Sequence, residues 1–156
     1  MNKRLMQTAL ITCLLASGAA STSGMAQEST QAAIDFRASV MTTFKWYVQP
    51  MGAMAKGKIP FDAARFKSRA EGLANATRLD VSEGFPEGSI EESDAKPEIW
   101  DNWDEFLSNY RNLQDEAVKL QQVAATGDEQ AMLAQFKKTA ETCGSCHKKF
   151  RQKKES

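Results

Sequence analysis

One run of apolar residues limits this chain more than any other feature: Ile99, Trp103, Phe106, Tyr110, Leu113, Ala117, Leu120 and Ala124 follow one another in steps of four and three. Residues three and four apart share one side of an α-helix, so the run draws a single apolar stripe along a long helix. A mean step of about 3.5 residues is what two long helices need to pack at a shallow angle. A stripe of that length has to be covered by other helices, because packing rather than propensity stabilises most helices in water. Pro97 suits the first turn, Glu98 is favourable near the N-terminal end of the dipole, and Gly127 marks the stop.

Three further segments supply the partners. Residues 29–56 read as a helix in which Ile34, Met41, Val48 and Ala55 recur every seven positions, with Ala38 on the same stripe. Gly57 is placed to end it, and Pro50, which has no N–H and crowds the carbonyl of Trp46, predicts a bend. A second helix opens with Asp62 as N-cap, and Phe61 and Phe66 have the spacing of a hydrophobic staple. Its buried side is expected to be Phe66, Ala70, Leu73 and Ala76 or Thr77. Residues 80–96 hold Gly84, Pro86, Gly88 and several serines without a sustained period, which is a long connection. The last helix is capped by Asp128, runs from about Glu129 to Arg151, and places Met132, Phe136, Ala140, Cys143, His147 and Phe150 on one face. Tight turns at Gly57 and Gly127 make their neighbours antiparallel. The expected fold is all-α, an antiparallel four-helix bundle.

Residues 1–26 stand apart. A basic start at Lys3 and Arg4, a mostly apolar run to Ala20 and small residues up to Ala26 read as a secretory signal peptide. Cleavage after Ala26 leaves one domain, 27–156, with no membrane anchor after processing, and predicts a periplasmic location. Cys13 belongs to the discarded leader. The leader removes Lys3 and Arg4 and no acid from a chain with 20 basic and 20 acidic residues, so the mature domain carries about two negative charges. That balance argues against nucleic acid as a partner.

The chemistry is concentrated in "CGSCH", which holds Cys143, Cys146 and the single histidine, His147. On a helix these positions present two sulfurs and an imidazole to one neighbour. The pattern matches covalent haem attachment, in which each thiol adds to a vinyl group and the histidine reaches the iron from one side. A structural zinc site wants four ligands, and the mature chain has no further Cys or His to complete one. A CxxC redox pair normally sits at a helix N-terminus, whereas this one lies near a C-terminal end. One haem c per chain is therefore expected. Bis-histidine ligation within the chain is excluded, and the soft donors left for the iron's other side are Met41, Met51, Met54 and Met132. No general base, nucleophile or hydrolytic metal constellation is visible, and no enzyme is expected.

The chain also resembles a known family. "CGSCHKKFR" near the C-terminus, "AKPEIW" at 95–100, "FPEGS" at 85–89, "KGKIPFDAARF" at 56–66 and the pair Arg37 and Met41 together look like cytochrome c′, across essentially the whole mature chain. The resemblance implies a high-spin, five-coordinate haem with His147 on the proximal side and Met41 covering the distal side. It implies haem contacts at Arg37, Ala38, Glu98 and Ile99, with Arg37 placed to pair with a propionate, and it puts Arg151 near the proximal pocket. It also implies binding of nitric oxide, carbon monoxide or other small gases and a homodimer through the first two helices that Trp46 or Tyr47 could serve, while Lys148, Lys149, Lys153 and Lys154 read either as a solvated end or as a docking patch for acidic redox partner proteins. Methionine at position 41 is a departure, because the low-spin relatives use one there as sixth ligand. The alternative is accordingly a six-coordinate His147/Met41 electron carrier.

Overall fold

A computed structural model describes residues 22–91 and 93–152. Residues 1–21, which make up most of the predicted leader and include Cys13, lie outside the described residues. Among those described there are five α-helices: α1 (Thr22–Ala55), α2 (Ala63–Ala76), α3 (Glu98–Asp101), α4 (Trp103–Ala124) and α5 (Glu129–Phe150). The four long ones form the bundle, with neighbours in the cyclic order α1, α2, α4, α5. None of the helices is long and apolar enough to cross a membrane.

Local chemistry sets the helix ends. Asp62 accepts a hydrogen bond from the Arg65 amide at 3.0 Å and Asp128 from the Ala131 amide at 3.1 Å, so both predicted N-caps supply partners for amides that the helix itself cannot satisfy. The Phe61 and Phe66 rings meet at 5.6 Å, as the staple requires. Gly57 and Gly127 turn the chain with φ of 64° and 76°, a region that a side chain would strain. Pro50 lies inside α1, which runs through it unbroken.

Two expectations need correction. The long stripe beginning at Ile99 is not one helix. The chain leaves helical geometry at Asn102 (φ −128°, ψ 43°), whose side-chain amide turns back to donate to the Glu98 carbonyl at 2.9 Å. Asparagine competes with the backbone for just such bonds, so α3 is a single turn set before α4. The stripe expected on α1 holds only in part, with Ile34 buried and Val48 packed against the core. The helix's buried residues are Ile34, Arg37, Val40, Phe44, Met51 and Met54, while Ala38, Met41 and Ala55 are exposed. A charged residue sits on the true stripe, and its presence hid the register.

The core runs through all four long helices. Phe66, Leu73, Leu120 and Met132 are at most 1% exposed, and burying each side chain contributes roughly 1.5–3 kcal/mol. Phe66 packs edge-on against Phe136 at 5.9 Å. At the other end Phe106 gathers Phe85 at 4.7 Å, Trp103 at 5.4 Å and Phe150 at 5.6 Å. That aromatic cluster joins the long connection and α4 to the final turn of α5, and so fixes the end of the molecule where the cysteine motif lies.

Candidate functional site

Cys143 and Cys146 sit on α5 with their sulfurs half-buried against the core cluster, and His147 follows on the same side with an exposed ring. The Cys143 thiol donates to the Thr139 carbonyl one turn back at 3.7 Å. Burial pushes both thiols up, Cys146 to about 11 with the neighbouring Cys143 as a second cause. His147 keeps a solvent-facing side, yet desolvation by the protein around it, and then the cation of Arg151, lowers its pKa. Two thiols and an imidazole along one side of one helix, with the sulfurs partly withdrawn from water, are the donor set that covalent haem attachment requires. The residues present fit the group.

The helix that would face them is α1. Arg37 is buried at 5% exposure, and it does not reach into solvent. Its Nη1 donates to the Gly84 carbonyl and the Ser89 hydroxyl, each at 2.7 Å. Its Nη2 donates to the Ser89 carbonyl and to the Ser93 hydroxyl, the latter at 2.6 Å. The guanidinium also lies over the Phe85 ring at 4.7 Å. All four Nη hydrogens thus meet neutral oxygens of one connection, and desolvation holds the Arg37 pKa below its usual value. Met41, one turn on, is 37% exposed, and Ala38 is exposed as well. Met41 therefore lies off the buried stripe that the heptad reading assigned to it.

The structure joins the two motifs on the long connection. The Trp100 indole N–H donates to the Phe85 carbonyl at 3.1 Å, linking "KPEIW" to "FPEGS". Ile99 is buried at 1%, whereas Glu98 is exposed and contributes its carbonyl to the Asn102 turn. Arg151 pairs with Asp94, Nη2 to Oδ2 at 3.0 Å. Around that pair, Lys96 N donates to the Phe150 carbonyl at 3.0 Å and Gln152 N to the Asp94 carbonyl at 2.7 Å, forming an isolated antiparallel bridge between Ala95 and Arg151. Sequence reading missed Ser89, Ser93, Asp94 and Gln152. Their types are ordinary for a surface turn, and only the buried arginine on α1 could have signalled that acceptors had to lie opposite it. Trp46 on α1 is 64% exposed with Arg69 over its ring at 4.8 Å, and Tyr47 packs against Gly72 of α2.

A four-helix bundle with a CxxCH motif in the last turns of its final helix defines the c-type haem proteins of the bundle class. Comparison makes the class specific. The cytochrome c′ family pattern matches residues 32–151. The chain is 36% identical over 126 residues to cytochrome c′ of Halomonas halodenitrificans, covering 76% of this chain and 95% of that one. It superposes on cytochrome c prime from Shewanella frigidimarina with a TM-score of 0.77 at 32% identity, over 81% of this chain and 98% of that one. It also superposes on a nitric oxide complex of a cytochrome c prime variant from Alcaligenes xylosoxidans with a TM-score of 0.72 at 32% identity, over 81% and 98%. The chain belongs to the cytochrome c′ family, and its cofactor is the family's covalently attached c-type haem. The bundle topology inferred from periodicity is one for which that family is a standing example.

Proposed function

We propose that the chain is a periplasmic haem protein that binds nitric oxide and other small neutral gases, with Cys143 and Cys146 as the thioether anchors and His147 as the proximal iron ligand. The observation that carries the reading is the placement of all three side chains along one side of α5, with the thiols half-buried and the imidazole exposed beside them. The nitric oxide complex among the similar structures supports the ligand class. When bound, the haem would supply the iron at which a diatomic ligand binds. The chain's own residues do the rest. Met41 would serve as an apolar lid over the group, next to Ala38 on α1. Arg37, whose Nη hydrogens are all taken by the connection, contributes a buried positive charge beside the same helix turn and no free Nη donor for a propionate, Ile99 gives an apolar wall with Glu98 at its edge, and Arg151 sits one turn past His147. The leader at residues 1–26 exports the chain, and Trp46 lies on the α1 and α2 face through which two copies would pair.

Absorption and EPR spectra of the untreated mature protein test the central claim. High-spin ferric iron at neutral pH, with carbon monoxide binding to the reduced form without displacing a ligand, is the expected result. A low-spin ferric spectrum with a methionine-to-iron charge-transfer band that Met41→Ala abolishes would replace it with the His147/Met41 electron carrier. Changing both Cys143 and Cys146 to Ala leaves the haem extractable by acid-acetone, and retention would sink the attachment assignment.

A further inference from the structure

Residues 93–96 of the connection are engaged in succession, and on two different parts of the molecule. The Ser93 hydroxyl accepts from Arg37 Nη2 at 2.6 Å and from the Ala95 amide at 3.0 Å. Asp94 then takes the Arg151 guanidinium at 3.0 Å on its side chain and the Gln152 amide at 2.7 Å on its carbonyl. The Ala95 carbonyl accepts from Gln152 Nε2 at 3.0 Å, and the Lys96 amide donates to the Phe150 carbonyl at 3.0 Å. On the α5 side every one of these contacts falls on residues 150–152, and the Arg151 amide in turn donates to the His147 carbonyl at 3.1 Å. The turn held by the connection is the turn that begins at His147.

We propose that Asp94 is a positioning residue for the proximal side: with Ala95 and Lys96 it clamps the last turn of α5 against the connection, and through Ser93 that clamp is tied to Arg37 on α1. This rests on the reading of His147 as proximal ligand. The Asp94–Arg151 pair is half-exposed, and alone it would be weak and screened by salt. Here three backbone and side-chain hydrogen bonds already fix the strand-like pairing on either side of it, so little conformational freedom is left for the pair to remove. Its contribution is orientation: it holds the Arg151 cation at one place beside the His147 turn. The distal helix and the proximal turn thereby share one short hydrogen-bonded segment, and a change at either end has a physical route to the other.

The test uses the haem-loaded protein and compares wild type, Asp94→Asn, Arg151→Gln and the double variant. The readouts are the iron–histidine stretching frequency of the reduced form by resonance Raman and the carbon monoxide dissociation constant. Asp94→Asn is near-isosteric, and it is expected to shift the frequency and to change the dissociation constant by roughly two- to five-fold, the factor an ion pair of this exposure can supply. In the Arg151→Gln background the same substitution is expected to add nothing, because the partner is already gone. An unshifted frequency with unchanged carbon monoxide binding in Asp94→Asn overturns the proposal, as do additive effects in the double variant. Should Asp94→Asn fail to fold, Arg151→Gln removes the pair from its other side and carries the same expectation. A low-spin, six-coordinate wild type would refute the open-iron reading alone. The midpoint reduction potential of the same four proteins then decides the proposal, with a shift in Asp94→Asn that vanishes in the Arg151→Gln background expected and none overturning it.

Discussion

Replacing Arg37 with Gln should destabilise the folded protein by about 2–4 kcal/mol, and the figure follows from where its hydrogens go. The wild-type side chain serves the Gly84 carbonyl, both oxygens of Ser89 and the Ser93 hydroxyl. Stripping a buried acceptor of its donor costs roughly 1–3 kcal/mol. Ser93 keeps the Ala95 amide as a donor, so three acceptors bear most of the loss, and a glutamine amide can still serve some of them. Removing the buried cation also recovers its desolvation cost, a few kcal/mol in the opposite direction. What remains is a net loss of a few kcal/mol, concentrated in the connection. Urea unfolding of the ferric protein followed by far-UV circular dichroism measures the total, and amide exchange of residues 84–94 locates it. Arg37→Lys separates charge from shape. Lysine keeps the cation but cannot reproduce the planar fork that reaches four acceptors at once, so it too should lose at least about 1 kcal/mol. An Arg37→Gln protein within about 0.5 kcal/mol of wild type, the range of ordinary surface substitutions, would refute the reasoning. A fully stable Arg37→Lys protein would show that charge alone matters there.

Gly72→Ala should cost about 1–3 kcal/mol by overpacking, because a Cβ built there would lie 2.2 Å from Cε1 of Tyr47; restoration by a compensating Tyr47→Ala in the same unfolding assay is expected. Tyr110→Phe removes a hydroxyl that donates toward the Thr77 and Leu79 carbonyls at 3.0 and 2.8 Å, with an expected loss of roughly 1–2 kcal/mol. Burial, followed by the charge of Asp80, pushes the Tyr110 pKa up to about 12 from the usual 10. The folded state therefore keeps a proton that the unfolded chain releases, and the stability that this group contributes is full below pH 10 and is lost as pH rises toward 12. The wild-type minus Tyr110→Phe difference in unfolding midpoint should shrink across that window, and a difference that stays constant would exclude the linkage.

The long helices were legible because their ends and stripes rest on local rules: Asp62, Asp128, Gly57 and Gly127 do in the structure what caps and turns do anywhere. The grouping of Cys143, Cys146 and His147 on α5 was legible for a similar reason, since a helix places these positions together by geometry alone. The register of α1 was not. A period of seven counted from Ile34 selects Met41 and Val48, and the helix actually buries Arg37, Val40 and Phe44. Apolar periodicity passes over a buried arginine, and what makes Arg37 tolerable inside is a set of acceptors more than forty residues away in sequence. The break at Asn102 escaped the same way, because the apolar steps of four and three continue straight across it.

The pattern of polar contacts around the bundle distinguishes its four seams. Helices α4 and α5 are joined by Gln135 Nε2 on Glu116 Oε2 at 2.6 Å and by the Thr139 hydroxyl on the Glu116 carbonyl at 3.2 Å. Lys119 and Gln135 hold that carboxyl below its usual pKa, keeping it ionised as an acceptor. Helices α2 and α4 are joined through Tyr110 and Gln114 at the Thr77 carbonyl, and α1 meets α2 where Tyr47 lies over Gly72. Of the four neighbouring pairs, α1 and α5 pack least directly, and they are the two helices that carry Arg37, Ala38 and Met41 on one side and Cys143, Cys146 and His147 on the other. Those helices touch directly where Gly52 meets the Phe136 ring, and their hydrogen-bonded tie runs from Arg37 through Ser93 and Asp94 to the last turn of α5. On the proposed attachment through Cys143 and Cys146, the cofactor would lie where α1 and α5 pack least and would leave the other three seams intact, and the connection would be the segment that reaches both of its sides.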